Sequence, residues 1–222
     1  KKDNFTFEIV PIIEVNNSKK ALNITDMSPL HAKFVRKEVL KKKGLDDQIR
    51  LMKQFCKANK VYGAESYING FSGYSLELLT YYYGGFLKFL KGITKVGVEK
   101  GIIDLEKHYK KHSVLLDLNS SKLQSPVILI DPTYKQRNAL AALSQETFTR
   151  FKEQARNFLK NPNIQAFEFQ KTNIGEIKSN AIKKKLEFIL LEASTLKQEG
   201  DVAGSKLSKF YKHLTDELSK YF

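Results

Sequence analysis

Residues 50–86 read RLMKQFCKANKVYGAESYINGFSGYSLELLTYYYGGF. In the first half of this stretch Leu51, Met52, Phe55 and Ala58 share one face of a helical repeat. Lys53, Lys57 and Lys60 take the rest of the circumference, and Tyr62-Gly63 closes the helix. In the second half Gly70-Phe71-Ser72-Gly73-Tyr74 is a glycine-rich turn opening a second helix, expected over residues 76–90. Backbone N–H groups at such a turn, with the positive end of the following helix dipole, suit an anion. A lysine and a tyrosine brought to the same place would suit a triphosphate. Helix–turn–helix segments of this kind are more often plain packing, so the stretch alone leaves both uses open.

Working outward, 222 residues with a hydrophobic fraction of 41%, 15 Phe and 10 Tyr can bury a sizeable core and do not describe a disordered chain. The formal net charge of +14 asks for an acidic partner, nucleic acid first. Only five basic residues are arginine (Arg36, Arg50, Arg137, Arg150, Arg156), and a lysine-rich surface also serves solubility, so charge alone does not decide. The single cysteine, Cys56, excludes an internal disulfide and a cysteine-cage metal site. No apolar run approaches the ~20 residues of a membrane span, and no secretory signal is seen, so a cytoplasmic protein without membrane association is expected. The chain opens on Lys1-Lys2-Asp3 without an initiator methionine. It is expected to be a piece of a longer or split protein, continuing also beyond its C-terminal end.

Taken in order, residues 5–15 (FTFEIVPIIEV) are expected to form a strand, with Glu8 either facing solvent or lifted into a cleft as a metal-binding carboxylate. Asp26-Met27-Ser28-Pro29 reads as a helix start with Asp26 as cap, placing His31 in the first turn of a helix that runs to Leu40. Residues 93–106 read as loop plus a short element. His108 and His112, spaced i, i+4 among lysines, read as a solvated basic face rather than a metal site. Strands are expected over 114–118 and 127–130, the second ended by Asp131-Pro132, with Tyr134 to Asn138 leading on to 139–143. Ser144 opens an amphipathic helix with Phe148, Phe151, Ala155, Phe158 and Leu159 on one side, stopped by Asn161-Pro162. Beyond Phe169, a strand over 186–191 and a helix over 206–222, with Leu207, Phe210, Tyr211, Leu214 and Leu218 inward, make a small α+β module.

Five motifs in order carry a resemblance: Phe7-Glu8-Ile9-Val10-Pro11; Asp26-Met27-Ser28-Pro29-Leu30-His31; Arg50-Leu51-Met52-Lys53 with Tyr62-Gly63-Ala64-Glu65; Gly70-Phe71-Ser72-Gly73-Tyr74 with Glu77-Leu78-Leu79; and Ile130-Asp131-Pro132 with Arg137-Asn138. Their order and spacing resemble the archaeal, class I CCA-adding tRNA nucleotidyltransferases, relatives of poly(A) polymerases in the polymerase β-like superfamily. The likeness covers about the first three-quarters of the chain.

The resemblance implies an α+β chain in three parts: the end of a nucleotidyltransferase palm (1–20), a helical central nucleotide-binding domain (21–160) and the start of an α+β, RNA-binding body (161–222). It implies that Glu8, where the family usually carries Asp, is a catalytic carboxylate and a ligand of Mg2+, a hard cation that takes oxygen ligands. His31, Lys53 and Tyr62 fall on triphosphate-binding positions, with Ser28 a nearby phosphate contact. Arg137 falls where an arginine reads the base edge of CTP or ATP, with Asn138 beside it. The partners implied are tRNA, CTP and ATP; a homodimer is left open. The family's Gly-Ser…Asp-x-Asp signature does not occur here, so activity is expected to need a second chain or a preceding segment that carries it. A non-catalytic RNA-binding relative and a poly(A) polymerase-like transferase are the alternatives.

Overall fold

The amphipathic pattern at the centre of the chain folds into helix α2 (Leu45–Ala58), in a computed structural model that describes residues 7, 9–39, 41–97, 101–109, 113–169 and 172–221. The helix starts five residues before Arg50, after Gly44 in a left-handed conformation, and sets Asp46 and Asp47 in its first turn where the dipole favours acids. Its buried stripe is Ile49, Met52, Phe55, Cys56 and Ala58, while Leu51, expected on that face, is exposed.

After α2 the chain doubles back: Phe71 N–H donates to Val61 O (2.9 Å) and Gly63 N–H to Phe71 O (2.8 Å). A side chain at Gly70 would put its Cβ 2.2 Å from Val61 O, so this closure needs glycine. Two helices follow where one was expected. Helix α3 (Gly73–Tyr83) is capped by Ser72, whose Oγ accepts from Ser75 N–H, and α4 (Phe86–Ile93) follows. The break is Gly84-Gly85, at φ 78° and 124°, conformations that a continuing α-helix excludes.

A three-stranded sheet packs beside these helices in the order β1 (Gly101–Asp104), β2 (Val127–Asp131), β3 (Tyr134–Asn138). β1 and β2 run parallel, and β2 and β3 antiparallel. The strand expected at 114–118 is a short helix, α5 (Val114–Asp117). Val114 and Leu118 are buried together against Ile128 and Ile130, and Leu116 is 86% exposed. Burial at i and i+4 but not i+2 is the helical period, not the strand period. Helix α6 (Gln145–Lys160) is capped by Ser144 as expected, its Oγ accepting from Thr147 N–H. Phe148, Phe151, Ala155 and Phe158 turn inward.

Phe55 lies at the centre of the main core. Its ring meets Phe86, Phe151, Phe158 and Phe167 at centroid separations of 5.7, 6.2, 5.8 and 5.8 Å, all edge-on, the arrangement that aromatic quadrupoles favour.

Both ends of the chain depart from expectation. Residues 9–15 form no strand, and Ile9 is 92% exposed, because no described strand lies alongside to satisfy a ladder. Asp26 does not cap a helix. Its buried carboxylate accepts backbone N–H groups from Ile13 (3.0 Å), Leu22 (3.1 Å) and Asn23 (3.2 Å), tying the loop together. Helix α1 (Ser28–Phe34) starts with Pro29 in its first turn and widens into a π-helical turn, Val35–Val39; Leu40 lies outside the described residues. At the other end come α7 (Ile174–Lys183) and α8 (Gly200–Leu218), which begins six residues before the expected start. Residues 186–191 form no strand. The side chains expected inward from α8 instead border an open groove of about 750 Å³ facing Ile189, Leu190 and Leu191. No described helix is long and apolar enough to cross a membrane.

Two outcomes follow from this packing. Phe55→Ala should lower stability by about 3–5 kcal/mol, read from urea unfolding, because the cavity would open where four rings meet. The N–H of Ile13, then those of Asn23 and Leu22, hold the Asp26 carboxyl below the usual aspartate range. Its contribution is therefore complete above the ordinary value of about 3.9 and is lost as pH falls through the lower native one. Protection of the Ile13, Leu22 and Asn23 amides from hydrogen exchange should vanish over that acid range, and Asp26→Ala should remove it at neutral pH.

Candidate functional site

Four residues singled out in the sequence arrive from four elements and meet at the first turn of α3. Lys53 comes from α2, Tyr62 from the turn after it, His31 from α1 and Arg137 from β3. The N–H groups of Gly73 and Tyr74, first in α3, have no intrahelical acceptor.

On one side of this turn stand Lys53 and Tyr62. A Cβ at Gly73 would lie 2.9 Å from Tyr62 Oη, crowding it, and 3.7 Å from Lys53 Nζ, an ordinary contact distance, so both side chains stand against the helix start. Lys53 Nζ donates to Glu77 Oε1 at 2.5 Å, one turn further along α3.

On the other side stands Asp131, fully buried at the end of β2. Its Oδ1 accepts from Thr133 N–H and Thr133 Oγ1 (both 2.8 Å) and from Tyr74 Oη (3.1 Å). Its Oδ2 lies 2.6 Å from Arg137 Nη1 and 3.0 Å from His31 Nε2. The His31 contact is a close approach of a buried Nε2 that falls outside hydrogen-bond geometry. Tyr74 fills the space between them: its ring stacks on His31 at 4.2 Å and 21°, and Arg137 Cζ lies 5.8 Å from the same ring.

Burial alone would raise the Asp131 carboxyl. The nearby His31 imidazole, the Arg137 guanidinium and the Thr133 N–H outweigh it and hold the group well below the usual carboxylate range. Burial, and then the Asp131 carboxylate beside it, push the Tyr74 phenol far up, so it remains a donor. The result is an anionic anchor surrounded by a cation, an imidazole and neutral donors.

The other sequence-derived residues are placed differently. Ser28 is exposed at the start of α1, three residues before His31. Asn138 is buried with its amide spent inside the protein. Its Oδ1 accepts from Leu129 N–H (3.0 Å) and Leu140 N–H (2.9 Å), and its Nδ2 donates to Lys122 O (2.7 Å) and Ser125 Oγ (2.8 Å). Glu8 lies outside the described residues, as does His112. His108 stands in a non-helical segment with Nε2 3.1 Å from Pro132 O.

Among the described residues no three His, Cys, Asp or Glu side chains are grouped to hold a metal ion. Asp131 has both oxygens engaged and Glu77 is paired with Lys53, so this cluster does not fit a divalent cation. Asp131, Tyr74 and Glu77 belong to motifs quoted from the sequence but had no role there. The available signal was Asp131 itself, the one charged residue of the buried strand VILID, followed directly by proline.

Residues 47–168, more than half of the chain, match the family described as tRNA nucleotidyltransferase, second domain. The chain is 42% identical over 147 residues to the CCA-adding enzyme of Nanoarchaeum equitans, covering 66% of this chain and 36% of that protein. It is 35% identical over 181 residues to the CCA-adding enzyme of Methanocaldococcus jannaschii, covering 80% and 39%. Against the CCA-adding enzyme of Pyrobaculum aerophilum the identity is 35% over 166 residues, covering 75% and 36%. The matched part thus spans under two-fifths of the length of these relatives. With Lys53, Tyr62, Tyr74, Asp131 and Arg137 all inside the matched span, the chain belongs to the tRNA nucleotidyltransferase family of the CCA-adding enzymes.

Proposed function

We propose that this chain supplies the nucleotide-binding centre of a CCA-adding tRNA nucleotidyltransferase, which adds CMP, CMP and AMP from CTP and ATP to the tRNA 3′ end. The observation that carries the proposal is the convergence of Lys53, Tyr62, His31 and Arg137 on one helix N-terminus in a chain of this family.

The chemistry follows from what each group can donate. A triphosphate over the first turn of α3 meets the N–H groups of Gly73 and Tyr74 and the positive end of the helix. Lys53 exchanges Glu77 for phosphate oxygens, Tyr62 adds a neutral donor, and His31 and Ser28 approach from α1. Charge accumulating on the departing pyrophosphate is stabilised by the same donors. Arg137 presents guanidinium N–H groups to the base edge, with the tRNA backbone beside it. Cytosine N3 and adenine N1 are acceptors and suit that fork, whereas uracil and guanine carry N–H donors there and oppose it. Asn138 serves by bracing β2 against β3. The net charge of +14 suits a partner whose affinity rests on phosphate contacts.

The finer organisation belongs to the same proposal: residues 1–20 as the end of a palm, 21–160 as the central domain and 161–222 as the start of a body, in a cytoplasmic protein. Mg2+ enters it through Glu8 and an Asp-x-Asp pair on a second chain or a preceding segment. Among the described residues no group of three His, Cys, Asp or Glu side chains offers Mg2+ a site.

Lys53→Ala should raise the dissociation constant for CTP roughly tenfold, and Tyr62→Phe by less, as expected for lost hydrogen bonds to a charged ligand. Isothermal titration decides it, and unchanged CTP affinity in both variants removes those residues from the site. The activity is tested by combining the full chain with a polypeptide carrying Asp-x-Asp and supplying tRNA that lacks its CCA end. Extension that requires both CTP and ATP supports the proposal. Extension by A alone indicates a poly(A) polymerase-like transferase, and tRNA binding without extension a non-catalytic relative.

A further inference from the structure

Arg137 and His31 stand on different elements, yet both end on one atom, Asp131 Oδ2. In the reading above, on which this inference rests, one of them meets the base and the other the triphosphate. We propose that Asp131 is a positioning residue that couples base selection by Arg137 to the grip of His31 on the triphosphate.

The carboxylate is built for this. Its other oxygen is held by three donors, the Thr133 N–H, Thr133 Oγ1 and Tyr74 Oη, so the group cannot turn about its own bond without losing them. Thr133 is held in turn, because Ser18 Oγ donates to its carbonyl at 2.5 Å. Oδ2 therefore points in a fixed direction. It engages Nη1 of Arg137 and leaves the remaining guanidinium donors for an acceptor beyond the protein. Asp131 is fully buried, while the side chains of Arg137 and His31 keep 21% and 12% of their surface. The anchor is thus shielded from solvent, and the two groups beside it stay partly exposed. Tyr74 completes the set: it stacks on His31, lies near Arg137 and belongs to the α3 turn over which the triphosphate is placed. A movement of His31 toward phosphate takes its Nε2 away from Oδ2 and leaves Arg137 as the remaining basic side chain on that oxygen.

A purely structural ion pair joining β2, β3 and α1 would stabilise the fold and affect every nucleotide alike. The coupling role has a different signature, a change in preference between nucleotides. The test is the dissociation constant for CTP and for UTP of the full chain bound to tRNA that lacks its CCA end, in wild type, Asp131→Asn, His31→Ala, Arg137→Ala and the double variant of Asp131 and Arg137. Wild type should prefer CTP, and Arg137→Ala should abolish the preference. Asp131→Asn, which keeps an acceptor for Tyr74 and Thr133 but sets an amide against Arg137, should cut the preference roughly tenfold. In the Arg137→Ala background it should change the preference no further. His31→Ala, which removes no base contact, should also lower the CTP-over-UTP ratio. Where Asp131→Asn fails to fold by circular dichroism, His31→Ala reads the same link.

Equal weakening of CTP and UTP by His31→Ala, or by a folded Asp131→Asn, overturns the coupling and leaves a structural ion pair. A wild-type chain that, with this tRNA bound, shows no preference for CTP overturns the nucleotide-binding reading itself, and this inference with it.

Discussion

Asp131 is a carboxylate with no exposed surface at the end of a buried strand, and the arrangement around it follows from that constraint. A charge in such a place is costly unless it is paired and hydrogen-bonded, and removing one partner of a buried pair leaves the other uncompensated. Here the compensation comes from Arg137 on β3, His31 on α1, Tyr74 on α3 and Thr133 in the turn between β2 and β3. The electrostatic requirement of one side chain therefore fixes how several elements meet, and two of the groups meeting there are candidates for nucleotide contact.

The other half of the site depends on packing. Lys53 and Tyr62 reach the start of α3 because α2 is seated by the aromatic cluster around Phe55 and because the chain after α2 closes tightly on Phe71. Small residues matter here: at Gly70 the Val61 carbonyl would strike a side chain, and at Gly73 the Tyr62 hydroxyl stands close to the backbone. The cations are not idle meanwhile. Lys53 is paired with Glu77 and Arg137 with Asp131, an arrangement that keeps positive charge in place without mutual repulsion until an anion competes for it.

The chain is uneven in how its parts are held. The main core gathers α2, α3, α4, α6 and residues of the sheet, and no described residue after Phe158 is buried. Helix α8 touches the central part through Asp201, whose Oδ1 accepts from Ser66 N–H and Oγ at 3.0 Å, and through Gly204, whose backbone lies against the Tyr67 ring. The matched family span, residues 47–168, coincides closely with the region that carries the core.

The sequence by itself determined the elements whose signals are local. The spacing of Met52 and Phe55 on α2, the Ser144 cap with Phe148, Phe151 and Phe158 on α6, and the apolar run at 127–130 all formed as read, because side-chain periodicity and capping act within a few residues. The motifs also carried the family, and they named Lys53, Tyr62, His31 and Arg137. Only the tertiary structure decided the rest. Short apolar runs at 114–118 and 186–191 look like strands, but a strand exists only where a neighbour accepts its hydrogen bonds; one became a helix on Ile128 and Ile130, and the other remained without pairing. Asp26 looked like a helix cap and Asn138 like a ligand contact until their partners 13 and 16 residues away came into view. Asp131 drew no assignment for the same reason: its role lies in contacts with His31 and Tyr74, far away in the chain, and a buried charge is defined by what surrounds it.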